Sequence, residues 1–183
     1  MVFHTSEVEK MSKSHNIVVG ESEIGKTTLV KEEIIKPLSQ QMPILICDVK
    51  GHDYRDVADA RVQHPENLVD AVLKGHRVVR WKPKIRSYKT DEAGEQLDMF
   101  IRGADKVISH EDIPFMHSVV DEAHAFQRNN HTYSELLEMA VRLWRGYGAG
   151  ITQVAQEGGC FKNAIVNNTG EWFDFRISNF APR

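Results

Sequence analysis

The chain has 183 residues, a length that suits one domain with a sizeable core, and its 41% hydrophobic and 27% charged residues are ordinary for a soluble globular protein. A formal charge of −3 gives no overall field toward nucleic acid, so any such contact needs a local basic patch. No apolar run approaches the roughly 18 to 20 residues that cross a membrane, and the N-terminal stretch lacks the apolar centre of a signal peptide, so neither a span nor export is expected. Residues 1–14 read as an N-terminal arm and 15–183 as a single domain. Cys47 and Cys160 lie far apart and lack metal-type spacing, and the histidines show no repeated pairing, so neither a disulfide scaffold nor a transition-metal site is expected.

In chain order, "IVVGESEIGKTTLV" is an apolar strand, a polar glycine-containing loop and the start of a helical run expected to end before Pro37. "MPILICDV" reads as a second strand, followed by a polar turn and a helix-like run through Asp70 to Lys74. "HRVVRW" is the third strand, and the basic loop "KPKIRSYKT" follows it. From Asp91 to Gly103, Leu97, Phe100 and Ile101 recur at helical spacing. "FMHSVVDEAHAF" reads as the fourth strand, and Ser134 to Arg145 as a helix with an apolar stripe. "GAGITQVAQ" and "EWFDFRIS" are two more strands. This alternation predicts an α/β domain with a mainly parallel central sheet, helices on both faces and binding loops at the carboxyl ends of the strands.

Gly20, Glu21, Ser22, Glu23, Ile24, Gly25, Lys26 and Thr27 match the G-x-x-x-x-G-K-[ST] phosphate loop, in the strand-to-helix context the motif requires. The glycines let successive N–H groups turn inward around phosphate oxygens at a helix N-terminus, which Thr28 extends. Lys26 is placed for the β- and γ-phosphates, and Thr27 for Mg²⁺.

A phosphate loop does not by itself separate kinases, switches and motors. The fourth strand ends in Asp121 and Glu122, types suited to holding the Mg²⁺ shell and to deprotonating a water that attacks the γ-phosphate. The letters "DEAH" also occur in one class of helicases, but those carry two nucleotide-binding domains, which do not fit this length. Gln156, at the tip of its strand, is a candidate for sensing the γ-phosphate, with a turn cap as the plainer alternative; Gln153 is expected to face a neighbouring element. Arg142 and Arg145 close the preceding helix, where they serve either the helix dipole or, across a subunit boundary, a neighbour's site as an arginine finger.

The order of these motifs resembles the FtsK/HerA superfamily of ring-forming DNA-pumping ATPases, from about Asn16 to Asn179. Besides the phosphate loop, "ICDVKGHDY" looks like that family's second-strand ending, "VVDEAH" like its acidic strand, "RGYGAGITQVAQ" like its Arg-x-x-Gly and Gln-ended strand, and "AIVNNTGEWFDFRIS" like its Asn-rich turn and edge strand. The resemblance implies a RecA-like (ASCE) P-loop NTPase that uses ATP and Mg²⁺. By it, Lys26 and Thr27 serve nucleotide and metal, Asp121 the metal, Glu122 catalysis, Gln156 the sensor and Arg145 the finger, with Arg142 a second choice. The small size resembles the genome-packaging ATPases of tailless double-stranded DNA viruses with an internal membrane. That implies a homo-oligomeric ring, pentamer or hexamer, on double-stranded DNA in the host cytoplasm or at a virion vertex, where a capsid or membrane protein is a further partner.

Within the basic loop, Arg80, Lys82, Lys84, Arg86 and Lys89 lie beside Trp81 and Tyr88. Such a cluster is suited to following a phosphate backbone without reading bases, although a solvated loop has the same composition. The competing readings are a small-molecule kinase and a nucleotide-dependent assembly or regulatory protein.

Overall fold

The structure is a computed structural model that describes residues 14–85, 91–128, 131–132 and 134–174. Apart from Ser14, the expected arm lies outside the described residues, as do Arg86, Tyr88, Lys89 and the last strand beyond Asp174.

The main strands are β1 (His15–Val19), β2 (Ile44–Cys47), β3 (Ala60–Val62), β4 (Val78–Trp81), β5 (Met116–Val120), β8 (Ala149–Ala155) and β9 (Glu171–Asp174). They form one sheet in the order β3-β4-β2-β5-β8-β1-β9, parallel throughout. A separate two-residue hairpin pairs β6 (Gln127–Arg128) with β7 (His131–Thr132). The expected α/β architecture with a parallel central sheet is therefore observed.

Successive strand residues point to opposite faces, and both faces are covered, so the central strands are buried along their whole length. Val18, Ile44, Ile46, Val119 and Val154 meet one helical run, α1, built from Lys26–Leu29, Val30–Ile35 and Lys36–Ser39. Ile17, Leu45, Val120 and Ile151 face the other layer. That layer holds α2 (Leu68–Leu73), α3 (Asp91–Ile108), α4 (Glu135–Leu143) and α5 (Asn163–Val166).

Two helices outrun their expected ends. α1 passes through Pro37 to Ser39 because Val30–Ile35 is π-helical, and that wider turn relieves the clash a proline makes with the carbonyl one α-turn back. α3 continues to Ile108, its Ala104 and Val107 extending the buried stripe. Gly103 lies within it, where an added Cβ would stand 2.5 Å from the Pro65 carbonyl oxygen, so the glycine permits the close approach of α3 to the turn before α2. α4 begins as read, with the Ser134 hydroxyl accepting the Leu137 N–H.

Polar groups inside the sheet are accommodated individually. Thr152 Oγ1 lies 2.8 Å from His117 Nε2 and accepts from Asn16 Nδ2 at 3.2 Å, linking β5, β8 and β1 beneath α1. On the other face His15 is 1% exposed, and burial, with the nearby Arg145 charge, lowers its pKa from 6.5 to about 4. Between those values the unfolded chain binds a proton that the folded chain refuses, so stability rises with pH across this window. The difference amounts to about 3 kcal/mol, complete above pH 6.5 and lost progressively toward pH 4. Urea titrations over this range should show a steeper acid loss for the wild type than for His15→Gln; equal pH slopes would contradict the assignment.

Candidate nucleotide site

Parallel strands place the ends of β1, β8, β5 and β2 side by side along one carboxyl edge. β1 delivers Gly20, hydrogen-bonded to Ala155 O, and the exposed loop residues Glu21, Ser22, Glu23 and Ile24. Gly25 then starts α1 with φ 98°, a backbone region that favours glycine, and Thr27 and Thr28 occupy the first turn. Lys26 Nζ donates to Gly20 O at 2.6 Å and Glu21 O at 2.5 Å, so the lysine arches back over its own loop. Burial lowers its pKa, partly offset by Glu122 and Asp121.

β5 ends at Val120, one residue before the acids, and the chain turns into a 3-10 turn over Ala123–Ala125. Asp121 is 2% exposed and its Oδ2 has no hydrogen-bond partner among the described residues. Burial, then the neighbouring Glu122 and Asp53 carboxylates, pushes its pKa up to about 7. A buried, under-satisfied carboxylate oxygen beside a phosphate loop fits a hard divalent cation, and with the Thr27 hydroxyl it supplies the oxygen donors expected for Mg²⁺.

Glu122 adopts φ 50° and ψ 43°, an uncommon backbone for a side chain with a Cβ. Its Oε1 pairs with Lys50 Nζ at 2.5 Å, while Oε2 faces His124 Nε2 at 3.1 Å and Gln156 Nε2 at 3.5 Å. Gln156, just after β8, thus meets the candidate catalytic carboxylate, and Gln153 is buried inside the strand.

The arginines lie elsewhere. Arg145 follows α4 in a 3-10 turn that leads into the start of β8, and it donates to Asn168 O at 2.7 Å. The length of β8, about 20 Å at the usual strand rise, separates Arg145 from the phosphate loop of its own chain. Arg142 is exposed and paired with Glu138 on α4 at 2.6 Å.

Of the expected basic cluster, Arg80 is corrected. It belongs to β4, is 9% exposed, and its Nη1 donates to Asp48 Oδ2 at 3.2 Å and Gly51 O at 3.0 Å. The buried Asp48 requires this partner, so Arg80 braces the β2 turn and is withdrawn from the loop surface. Lys82 and Lys84 are exposed at the same edge as the phosphate loop. Trp81, expected beside the basic charges, is instead buried against Phe100 with ring centroids 6.1 Å apart.

Sequence reasoning assigned no role to Lys50 or Tyr54, although both lie in "ICDVKGHDY". Tyr54 is fully buried and its hydroxyl donates to Asp121 Oδ1 at 3.4 Å. The only signal available was an acid, a lysine and an aromatic clustered directly after a buried strand, which also describes an ordinary surface turn.

No protein-family model and no curated protein sequence matches the chain. Among solved structures, the genome packaging NTPase B204 of Sulfolobus turreted icosahedral virus 2, in complex with AMPPCP, superposes with a TM-score of 0.71 at 15% identity, over 90% of this chain and 75% of that one. The chain shares that fold. B204 of Sulfolobus turreted icosahedral virus, a DNA-packaging ATPase, matches at TM-score 0.67 and 17% identity, over 89% and 75% of the two chains. Thermomonospora curvata EccC, ATPases 2 and 3, matches more distantly, at TM-score 0.55 and 11% identity over 89% of this chain and 31% of that one. The P-loop ATPase fold implied by the motif order is thus the fold observed.

Removing Arg80 should be costly, because Asp48 would remain buried without its cation. Arg80→Met is expected to lower unfolding free energy by about 3–5 kcal/mol in urea titrations, and a second substitution, Asp48→Asn, should recover part of the loss. Additive losses in the double variant would show that the pair is not coupled.

Proposed function

We propose that this chain is a single ATPase domain over residues 15–183 that hydrolyses ATP to translocate double-stranded DNA, packaging a viral genome into a preformed capsid. The observation that carries the reading is the meeting of Gln156 with Glu122 beside the phosphate loop, in a fold shared with a genome-packaging NTPase. In this reading Lys26 and the loop amides bind the triphosphate, and Thr27 and Asp121 hold Mg²⁺, which supplies charge neutralisation at the phosphates when bound. Glu122 takes the proton of the attacking water, and Gln156 couples the γ-phosphate to that carboxylate. A kinase would turn the same carboxylate on an acceptor hydroxyl in place of water, so the response of turnover to duplex DNA separates the two readings.

The distance of Arg145 from its own phosphate loop favours a role in a neighbouring subunit. Exposed Met139, Leu143 and Tyr147 flank Arg142 and Arg145, as expected of a face that meets a second copy. The active form is then a homo-oligomeric ring, pentamer or hexamer, recruited to a virion vertex by a capsid or membrane protein. Lys82 and Lys84, together with Arg86 and Lys89, grip the phosphate backbone.

ATP turnover by the purified protein should rise on addition of duplex DNA, and Glu122→Gln should lower kcat by about 10²- to 10⁴-fold while retaining nucleotide binding. Lys84→Ala should spare basal turnover, weaken duplex binding and flatten its log–log salt slope by about 1. DNA that alters neither turnover nor oligomeric state would remove the translocase reading. Mixing separately inactive Arg145→Ala and Lys26→Ala proteins should restore turnover, since the first keeps an intact site and the second an intact finger; no restoration would refute the shared site.

A further inference from the structure

Tyr54 combines a wholly buried ring with one polar atom, and that atom reaches the nucleotide site. The chain after β2 turns at Gly51, whose φ is 77°, and the Ala58 N–H donates to Tyr54 O at 3.1 Å. The ring joins Val30 and Ile34 of α1 with Ile46 and Val119 of the sheet in one apolar layer, and Lys31 Nζ stands 5.8 Å from its centroid. Packing of this kind accepts a phenylalanine equally well. What the phenol adds is a hydrogen bond out of the layer, from its hydroxyl to Asp121 Oδ1 at 3.4 Å.

Among the described residues that hydroxyl is the one hydrogen-bond donor to the Asp121 side chain, whose Oδ2 has none. The terminal torsion of a carboxylate is broad, so where no other donor is present the phenol decides which oxygen is engaged internally and which stays open. Its direction is fixed, because a phenol keeps its proton near neutral pH and donates to a carboxylate. The resulting asymmetry suits a cation. A neutral donor leaves the charge of a buried carboxylate uncompensated, whereas a divalent ion at the open oxygen offsets it.

We propose that Tyr54 is a positioning residue for the divalent-cation site: by holding Asp121 Oδ1 it presents Oδ2, and it thereby sets the affinity for Mg²⁺. The inference rests on the reading that Asp121 and Thr27 hold Mg²⁺. Tyr54 acts at one remove, as the outer hydrogen-bond partners of metal ligands do.

Equilibrium binding of a non-hydrolysable ATP analogue to the full chain, in EDTA and across a Mg²⁺ titration, tests it. Tyr54→Phe, which keeps the buried ring, should leave the affinity in EDTA within about twofold of wild type and raise the Mg²⁺ concentration at half-maximal enhancement by about tenfold. In steady-state ATP turnover, saturating Mg²⁺ should bring the same variant to within about threefold of the wild-type kcat. A Mg²⁺ midpoint unmoved by Tyr54→Phe overturns the proposal, and does so equally if the variant loses affinity in EDTA or stability in urea, since the hydroxyl then serves packing alone. Asp121→Asn should abolish the Mg²⁺ enhancement. If it binds as wild type does at every Mg²⁺ concentration, the metal reading itself fails and the proposal with it. A loss in Asp121→Asn with no shift in Tyr54→Phe leaves that reading intact and removes the positioning role.

Discussion

Every feature of the site depends on the parallel direction of the sheet. A parallel sheet covered on both faces has no wet side, so its strands are apolar from end to end and their polar chemistry is displaced to the edges. Because the strands share one direction, the residues following β1, β2, β4, β5 and β8 converge along a single edge. Residues distant in sequence, such as Lys26, Lys50, Glu122 and Gln156, are thereby brought into one charged cluster without any long loop.

Within that cluster burial and charge oppose each other. Asp121 is held in a setting that disfavours its ionised form, and Tyr54, packed under α1, contacts one oxygen while the other is left without a hydrogen bond. Lys26 rests on loop carbonyls and Lys50 on Glu122, so both lysines already hold anionic or dipolar partners. Anions entering such a site exchange partners with these groups and do not meet bare charge. The neighbouring Asp48–Arg80 pair differs in kind: it is buried and geometrically fixed, and it anchors the turn from which Lys50 projects.

The strands and the strand–loop–helix turn around Gly25 were legible because their signals are local. "IVVG" followed at fixed spacing by Gly25, Lys26 and Thr27 needs no tertiary information, and the buried runs "ILIC" and "SVV" announce themselves by apolar composition. Arg80 was misread because its environment is set by Asp48, which is distant in sequence; in a basic stretch nothing local marks one arginine as buried. Lys50 was missed for the same reason, its partner Glu122 being supplied by another strand. The short edge strand β3 carries too little alternation to be seen. The passage of α1 through Pro37 depends on a change of helical register that propensity does not encode.

The position of Arg145, a strand's length from its own phosphate loop, has an arithmetical consequence under the proposed reading. If each site is completed by the next subunit, sites are counted by interfaces and not by chains. An open arc of n subunits then holds n − 1 complete sites, whereas a closed ring holds n, and the interface is head-to-tail, so closure depends on the rotation between neighbours. Reciprocity follows as well: whatever factor a neighbour adds to nucleotide affinity, the nucleotide returns to subunit association. The ring and its fuel would then each report on the other.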